Sequence, residues 1–457
     1  MRKLVQKDYL VLLAGVLVVF HSLISLLKYF AEISAIETAD YILGGITGLY
    51  AVLYFLLFRP RLRFSLRTGL LYAMLFWYIL SCTVMSVRYG SAWFRENNAL
   101  RIYDTAVLFL AVYMLGCCSG REGIHPALRI AIRLCLLTWT AFMLYVLVRL
   151  PQTAEIPLPN RGTICFSQSR LCLNCNPNST GIIAMTAFLL SCIMVDASKS
   201  LMMKGIYVFS GCVHYLVLVF SNSRTMLAAT AIGFAGIIGT AALTGCCGKH
   251  RRLIAAGAAA VSAMVFFLAR DQVFAFYKAV SGEAFRLEGK KFVSSSILTL
   301  TGRTGGFRFA LLAMTDDLQC FLTGVTPPVV KLAMYKASGG VWDMYTHNQI
   351  LEIGVALGVP AAGGFTAWLF LLGKDCLKLC RTVKNRREIM FVSLILLAFV
   401  LANMLEATLL FYRYIISYVF FFLAGWIHGV RLAGGGEGIS GRPAETVSVL
   451  KKGRTEP

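Results

Sequence analysis

Two guanidinium groups and one imidazole stand where charge is costly, and each sits beside residues that suit it for anion or proton chemistry. Arg224 closes the run Ser221-Asn222-Ser223-Arg224, wedged between two apolar stretches with no acidic residue nearby in the chain. Its charge must find a partner elsewhere in the fold or in a ligand. Arg303 follows Thr301-Gly302 and opens a segment, Thr304 to Leu318, in which Phe307, Leu311, Leu312 and Met314 give a mainly apolar helical pattern. Asp316-Asp317 and the Gly324 to Pro328 turn end it. An arginine at a helix N-terminus adds a charged fork to free backbone N–H groups, a suitable place for an anion. His347 lies in Tyr345-Thr346-His347-Asn348-Gln349-Ile350-Leu351-Glu352, where a polar stretch meets the next apolar run. Asn348 and Glu352 are four apart and share a helix face, and a neutral imidazole accepts a proton near pH 7. Taken alone, His347 reads as a helix cap; beside Arg224 and Arg303 it reads as a general base at an anion site.

The elements that must position these groups are membrane spans. Hydrophobic residues make up 58% of the chain, charged residues 14%, and mean hydropathy is +0.71. Those values exclude an ordinary soluble globular protein. Apolar runs predict an all-α, polytopic membrane protein with about twelve spans, near 9–27, 41–58, 69–86, 102–118, 130–148, 179–196, 205–221, 225–245, 253–269, 349–373, 389–405 and 411–430. The first run is too long for a signal-peptide core and lacks a cleavage site, so it is expected to remain attached. The membrane domain covers 1–433, with one large loop of about 270–348 between spans nine and ten, and the Gly-rich, charged 434–457 reads as a disordered cytoplasmic tail.

Arg59, Arg61, Arg63 and Arg67, then Lys249, Arg251 and Arg252, then Lys374, Lys378, Arg381, Lys384, Arg386 and Arg387 all fall on one side under this count. Cationic loops resist translocation, so that side and both termini are expected in the cytoplasm and the large loop outside. Topology and anionic lipid headgroups account for most of the net charge of +22, and nucleic-acid binding is not indicated. Topology does not account for arginines on the opposite side: Arg88, Arg95, Arg101, Arg149, Arg161, Arg170, Arg224, Arg303, Arg308 and Arg413. Arginine suits bidentate recognition of phosphate or carboxylate. For Arg88, Arg95, Arg101 and Arg149 the plainer reading is contact with headgroups or with Glu96, Glu155 and Asp271.

Other groups carry less. Cys172 and Cys175 form a Cys-x-x-Cys beside Cys165, but no second pair accompanies them, and a disulfide or free thiols fit better than a metal site. His21, His214 and His428 lie in or at the ends of apolar runs and suit interhelical hydrogen bonds. Glu406 sits in a short connection near Arg413, where an ion pair and a part in an acceptor site are both open readings. Twelve spans is also a common transporter count, although transporters usually place ionisable groups near the bilayer midplane, often in paired repeats.

Four segments resemble the O-antigen ligase and polymerase superfamily of membrane glycosyltransferases. They are Asn176-Pro177-Asn178; Ser221-Asn222-Ser223-Arg224; Thr301-Gly302-Arg303-Thr304 with Leu322-Thr323-Gly324-Val325; and Thr346-His347-Asn348 with Leu351-Glu352-Ile353-Gly354 and Leu357-Gly358. Their order and spacing carry the likeness over about residues 160 to 430. The resemblance implies transfer of a glycan from a polyprenyl diphosphate carrier to a glycan or lipid acceptor, without nucleotide, metal or other cofactor. It implies that Arg224 and Arg303 hold the diphosphate and that His347 activates the acceptor hydroxyl. Arg308, Asn348, Glu352, Asn176, Asn178, Arg161, Arg170 and Arg413 are the expected substrate-binding residues. The chain departs from the family at Gly324-Val325-Thr326-Pro327-Pro328, where members often carry Gly-x-Gly. A repeat-unit polymerase of the same superfamily, or a polysaccharide or lipid transporter, remain the alternatives.

Overall fold

The computed structural model describes residues 65–90, 98–122, 126–153, 155–157, 163–167, 170–173, 177–245, 250–281, 303–382, 386–411 and 415–434, with scattered positions between 38 and 49. The described chain is mostly helical, and eight of its helices are long and apolar enough to cross a membrane. In chain order the helices are α1 (Leu66–Tyr89), α2 (Asn98–Ala106), α3 (Tyr113–Glu122), α4 (Pro126–Thr153), α5 (Pro177–Ala197), α6 (Leu201–Ser221), α7 (Arg224–Gly245) and α8 (Arg251–Ser281). They continue as α9 (Arg303–Met314), α10 (Leu318–Thr323), α11 (Val330–Ala337), α12 (Gln349–Leu357), α13 (Val359–Thr382), α14 (Arg386–Asn403) and α15 (Ile415–Gly434). A π-helical turn, Val107–Val112, joins α2 to α3.

The eight qualifying stretches match the expected spans three to nine and twelve. Expected spans at 9–27 and, almost entirely, 41–58 lie outside the described residues, as does the tail 435–457. The run at 389–405 is helical as α14. The run at 349–373 is not one helix: α12 stops at Leu357, Gly358 takes a positive φ of 85°, and α13 starts at Val359. The large loop also begins later than expected, because α8 continues through Arg270 to Ser281.

The mostly helical fold also carries a small antiparallel sheet, which was not expected: β1 (Glu155–Pro157), β2 (Thr163–Ser167) and β3 (Arg170–Leu173), in the order β1-β2-β3. The segment carries no helical period, and its hairpin buries Ile164, Leu171 and Leu173. Phe166 meets Phe220 of α6 edge-on, and the Leu173 N–H donates to Thr180 Oγ1 of α5 at 3.0 Å. Those contacts anchor Arg170 over the α5 and α6 ends.

Close backbone approaches fix the bundle. Gly116 and Gly120 of α3 face Gly425 and Gly429 of α15, and a Cβ added at any of the four would collide with a backbone carbonyl of the other helix. Both helices thus present glycines four apart at their crossing, the small-residue packing that lets helices approach without a hydrophobic drive. A second weld joins the loop to the broken span. Gly324 has φ 66°, and a Cβ there would strike Ala356, while one at Gly358 would strike Leu322. The Val325 and Thr326 N–H groups donate to the carbonyls of Val355 and Ala356 at 3.0 and 2.8 Å. Thr326, two residues after Gly324, holds φ 73°. Only glycine adopts that backbone without strain, so the departure at this position keeps a glycine-type geometry with a β-branched residue.

Candidate functional site

The α5, α7, α9 and α12 N-termini and the segment after α14 meet at one end of the bundle. Each start has a local cause. Pro177 opens α5 at the first helical position, where its missing N–H costs nothing. Asn222, at φ 46°, turns the chain from α6 into α7, which leaves Arg224 as the first residue of that helix. Asn348 caps α12, its Oδ1 accepting from the Ile350 and Leu351 N–H groups at 2.9 and 3.0 Å. Trp342 lies over Gly306 so closely that an added Cβ would sit 2.6 Å from its ring, which ties α9 to the segment leading into His347.

Glu406 is the hub. Its side chain is only 6% exposed, and its Oε1 accepts from Arg303 Nη2 and, at 2.7 Å, from Asn178 Nδ2. Its Oε2 lies 3.2 Å from His347 Nδ1. Arg303 Nη1 also donates to Thr225 Oγ1 at 3.1 Å, next to Arg224. Asn178 Oδ1 accepts in turn from Arg170 Nη2 at 2.6 Å and from Ser223 Oγ at 3.1 Å, and Arg170 Nε donates to the Ser221 carbonyl at 3.1 Å. The turn fits against α5 because Gly181 has no side chain: an added Cβ would stand 2.9 Å from Ser223 Cβ.

Electrostatics bind the group together. Burial, first of all, lowers the Arg170 guanidinium from its ordinary value; Cys172 and Glu406 oppose this, while Arg303 and Arg224 add repulsion. Arg303 bonds to the one carboxylate, Arg170 is linked to it through Asn178, and Arg224 adds its charge beside Arg170, so three guanidiniums against one acid leave the group net positive. Such a group has the composition of an anion site.

His347 is held in a way that its neighbours explain. Its φ is +54°, in the left-handed region that costs a non-glycine residue free energy. The residue before it is pinned by buried Glu352, whose Oε2 accepts from the Thr346 N–H at 3.1 Å and the Thr346 hydroxyl at 2.9 Å. The residue after it is pinned by its cap and by Asn348 Nδ2 donating to the Met404 carbonyl at 2.9 Å. With Nδ1 as the N–H that faces Glu406, Nε2 keeps its lone pair as a proton acceptor. The His347 side chain is 24% exposed.

The structure therefore brings together five of the residues that sequence singled out: Arg170, Asn178, Arg224, Arg303 and His347. Asn348 and Glu352 stand behind His347, as cap and brace. Arg308 is exposed on α9, five residues and so well over a quarter turn from the face of Arg303. Asn176, Arg161 and Arg413 lie outside the described residues, so the Glu406 to Arg413 pairing has no description; among the described residues the Glu406 carboxylate bonds to Arg303, Asn178 and His347. Arg88 Nη1 lies 3.0 Å from Asp317 Oδ2, because α10 packs along α1, while Glu96 and the Asp271 side chain lie outside the described residues. The signal for Glu406 in sequence was its rarity, an acidic residue in a short connection between apolar runs, in a chain with half as many acidic as basic side chains.

No protein-family model matches the chain, and no curated protein matches its sequence.

Proposed function

We propose that this chain is a membrane glycosyltransferase of the O-antigen ligase type, moving a glycan from a polyprenyl diphosphate carrier to an acceptor hydroxyl at the outer face of a twelve-span membrane domain. The observation that carries the reading is the Glu406-centred group, in which the carboxylate bonds to Arg303 of α9 and His347, is linked through Asn178 to Arg170 of β3, and has Arg224 of α7 as a further charge beside Arg170. Cleavage of a sugar–diphosphate bond builds negative charge on the diphosphate, and fixed guanidiniums in a poorly hydrated site stabilise that charge more in the transition state than in the ground state.

The step balances within these residues. His347 Nε2 takes the proton from the acceptor hydroxyl, its oxygen attacks the anomeric carbon from the face opposite the diphosphate, and the bond to the diphosphate oxygen breaks with both electrons leaving on that oxygen. The product is inverted at the anomeric carbon. Glu406 orients the imidazole through Nδ1 and offsets the imidazolium charge, while its bond to Arg303 couples base and diphosphate sites. Ligation to a lipid or to a glycan repeat unit would use the same atoms, with acceptor choice set by groove shape.

Besides the span count, the interrupted span at Leu357-Gly358 is a feature that favours a transporter. Its surroundings, Leu322, Thr323, Gly324 and Ala356, are uncharged, its carbonyls accept from Val325, Thr326 and Trp77, and Ser81 takes the Thr323 carbonyl packed against it. That is the pattern of a structural joint. Reconstituted protein given a lipid-linked donor should transfer glycan covalently, and Arg303→Ala or Arg224→Ala protein that still inserts should not. Near wild-type turnover of both variants would remove the arginines from the mechanism; donor flux with unchanged glycan attachment would favour transport.

A further inference from the structure

The loop between α8 and α12 holds an apolar surface that the site does not use. Leu318, Phe321 and Leu322 of α10 are exposed, as are Leu311 and Leu312 of α9, and α10 has six residues, far too few to cross a membrane. What covers that surface follows from where α10 lies. Arg88 bonds to Asp317 and Gln319 at the C-terminal end of α1. Gln319 Nε2 then reaches Met85 Sδ at 2.7 Å, Ser81 Oγ donates to the Thr323 carbonyl, and Trp77 Nε1 donates to the Leu322 carbonyl at 3.2 Å and the Leu357 carbonyl at 3.0 Å. The partners on α1 step from residue 88 back to 77 as the loop advances from 317 to 322. At 1.5 Å per residue this is a descent of about 16 Å along α1. Trp77 is at the middle of the apolar stretch Leu66–Arg88.

We infer that α10 and the Gly324 turn form a re-entrant segment, and that Leu318, Phe321 and Leu322 face the hydrocarbon of the bilayer. The exposed apolar side chains of α1 itself, Phe76 and Ile79, lie at the same depth, so one lipid-facing surface continues from the span onto the loop. Non-helical backbone at such depth is tolerated only where its polar groups are satisfied by protein. Here Trp77 and Ser81 take the Leu322 and Thr323 carbonyls, and the Val325 and Thr326 N–H groups donate to α12. The Gly324 N–H itself donates to the Cys320 carbonyl at 3.1 Å. Asp317 and Arg88, the charged pair of this region, stand at the end of α1 where the segment enters. The segment also packs on α12, the helix that starts just after His347, so membrane insertion of α10 would anchor the catalytic loop to the lipid boundary.

The test is depth, read on the full chain in lipid vesicles. A ketone-bearing amino acid introduced at Leu318, Phe321 or Leu322 and coupled to a nitroxide leaves the 14 native cysteines in place. Collision with dissolved oxygen and with a water-soluble nickel chelate is then compared with the same label at Phe76 and at exposed Asp343. High oxygen and low nickel accessibility, equal to the Phe76 label, is the expected result. Nickel accessibility equal to the Asp343 label would place α10 in water, and shielding from both reagents would mean that protein covers it; either overturns the inference. All three labelled positions point away from the protein core, so disturbance of folding is small, and the outcome does not depend on glycan transfer.

Discussion

The two ends of this helix bundle each hold a nearly buried carboxylate among arginines, and they use it in opposite ways. At one end Asp375 of α13, 1% exposed, is held by Arg67 through both Nε and Nη2, the latter at 2.7 Å, and by Arg431 Nη1. Two guanidiniums close over one acid, and α1, α13 and α15 are clamped together. At the other end Glu406 is divided among Arg303, Asn178 and His347, and Arg170, joined to it through Asn178, has the charge of Arg224 beside it. The first arrangement turns both of its guanidiniums onto the acid and, among the described residues, bonds no histidine to it. The second sets its arginines beside a strained, partly exposed histidine, which is how a reactive constellation differs from a structural ion pair.

The histidines repeat the contrast. His428 Nδ1 lies 2.8 Å from the Tyr113 hydroxyl and His214 Nε2 lies 3.2 Å from Thr140 Oγ1, both fully inside the bundle, whereas His347 faces a carboxylate at its edge. Replacing His347 with Ala should break the site alone: transfer falls roughly 10²- to 10⁴-fold, the usual range for a general base, with melting temperature nearly unchanged. Asp375→Asn should do the reverse. Loss of one partner from a buried ion pair costs about 3–5 kcal/mol of stability, measured by thermal or denaturant unfolding in detergent, yet turnover per folded molecule should stay at the wild-type level. A turnover loss without a stability loss at Asp375 would erase the distinction between the two ends.

Arg303→Lys sharpens the comparison. A lysine keeps the charge but not the fork that reaches Thr225 and Glu406 together, so turnover should fall roughly 10²-fold, as on removing one preorganised donor. The smallest effect is expected at Asp317, which caps α10 by accepting from the Cys320 N–H at 2.6 Å. Asp317→Ala should cost about 1 kcal/mol and Asp317→Asn much less, because Asn also caps. That bond and then Arg88 hold the Asp317 carboxyl below its ordinary value of 3.8, so its contribution is complete above that pH and is lost only on further acidification. Unfolding curves of the wild type and Asp317→Asn should therefore converge at low pH.

Much of the site was legible in the sequence because each of its residues marks a boundary. Arg224, Arg303 and His347 all stand where polar chain meets an apolar run, and in a membrane protein such boundaries lie in one of two thin layers, which makes convergence at one end a short step. Hydropathy also placed a helix opening at Arg303, although α9 ends at Met314 and Leu318, expected within it, begins α10. What it could not supply was pairing across long separations. Glu406 was open between two readings because Arg413 is near it in sequence while Arg303 is 103 residues away. The hairpin carrying Arg170 was missed because three short strands leave no periodic signal, and the break at Gly358 was missed because glycine in an apolar run does not interrupt hydropathy. The descent of α10 along α1 was invisible for the same reason: its apolar residues look like those of any amphipathic surface helix until their partners on α1 are known.

The most direct measurement of the central claim is a single-turnover assay in proteoliposomes with a polyprenyl diphosphate-linked glycan and an acceptor, following the anomeric configuration of the product. The wild type is predicted to give an inverted linkage, and the His347→Ala protein to retain bound donor without consuming it. A retained linkage, or His347→Ala turnover equal to wild type, would contradict the account.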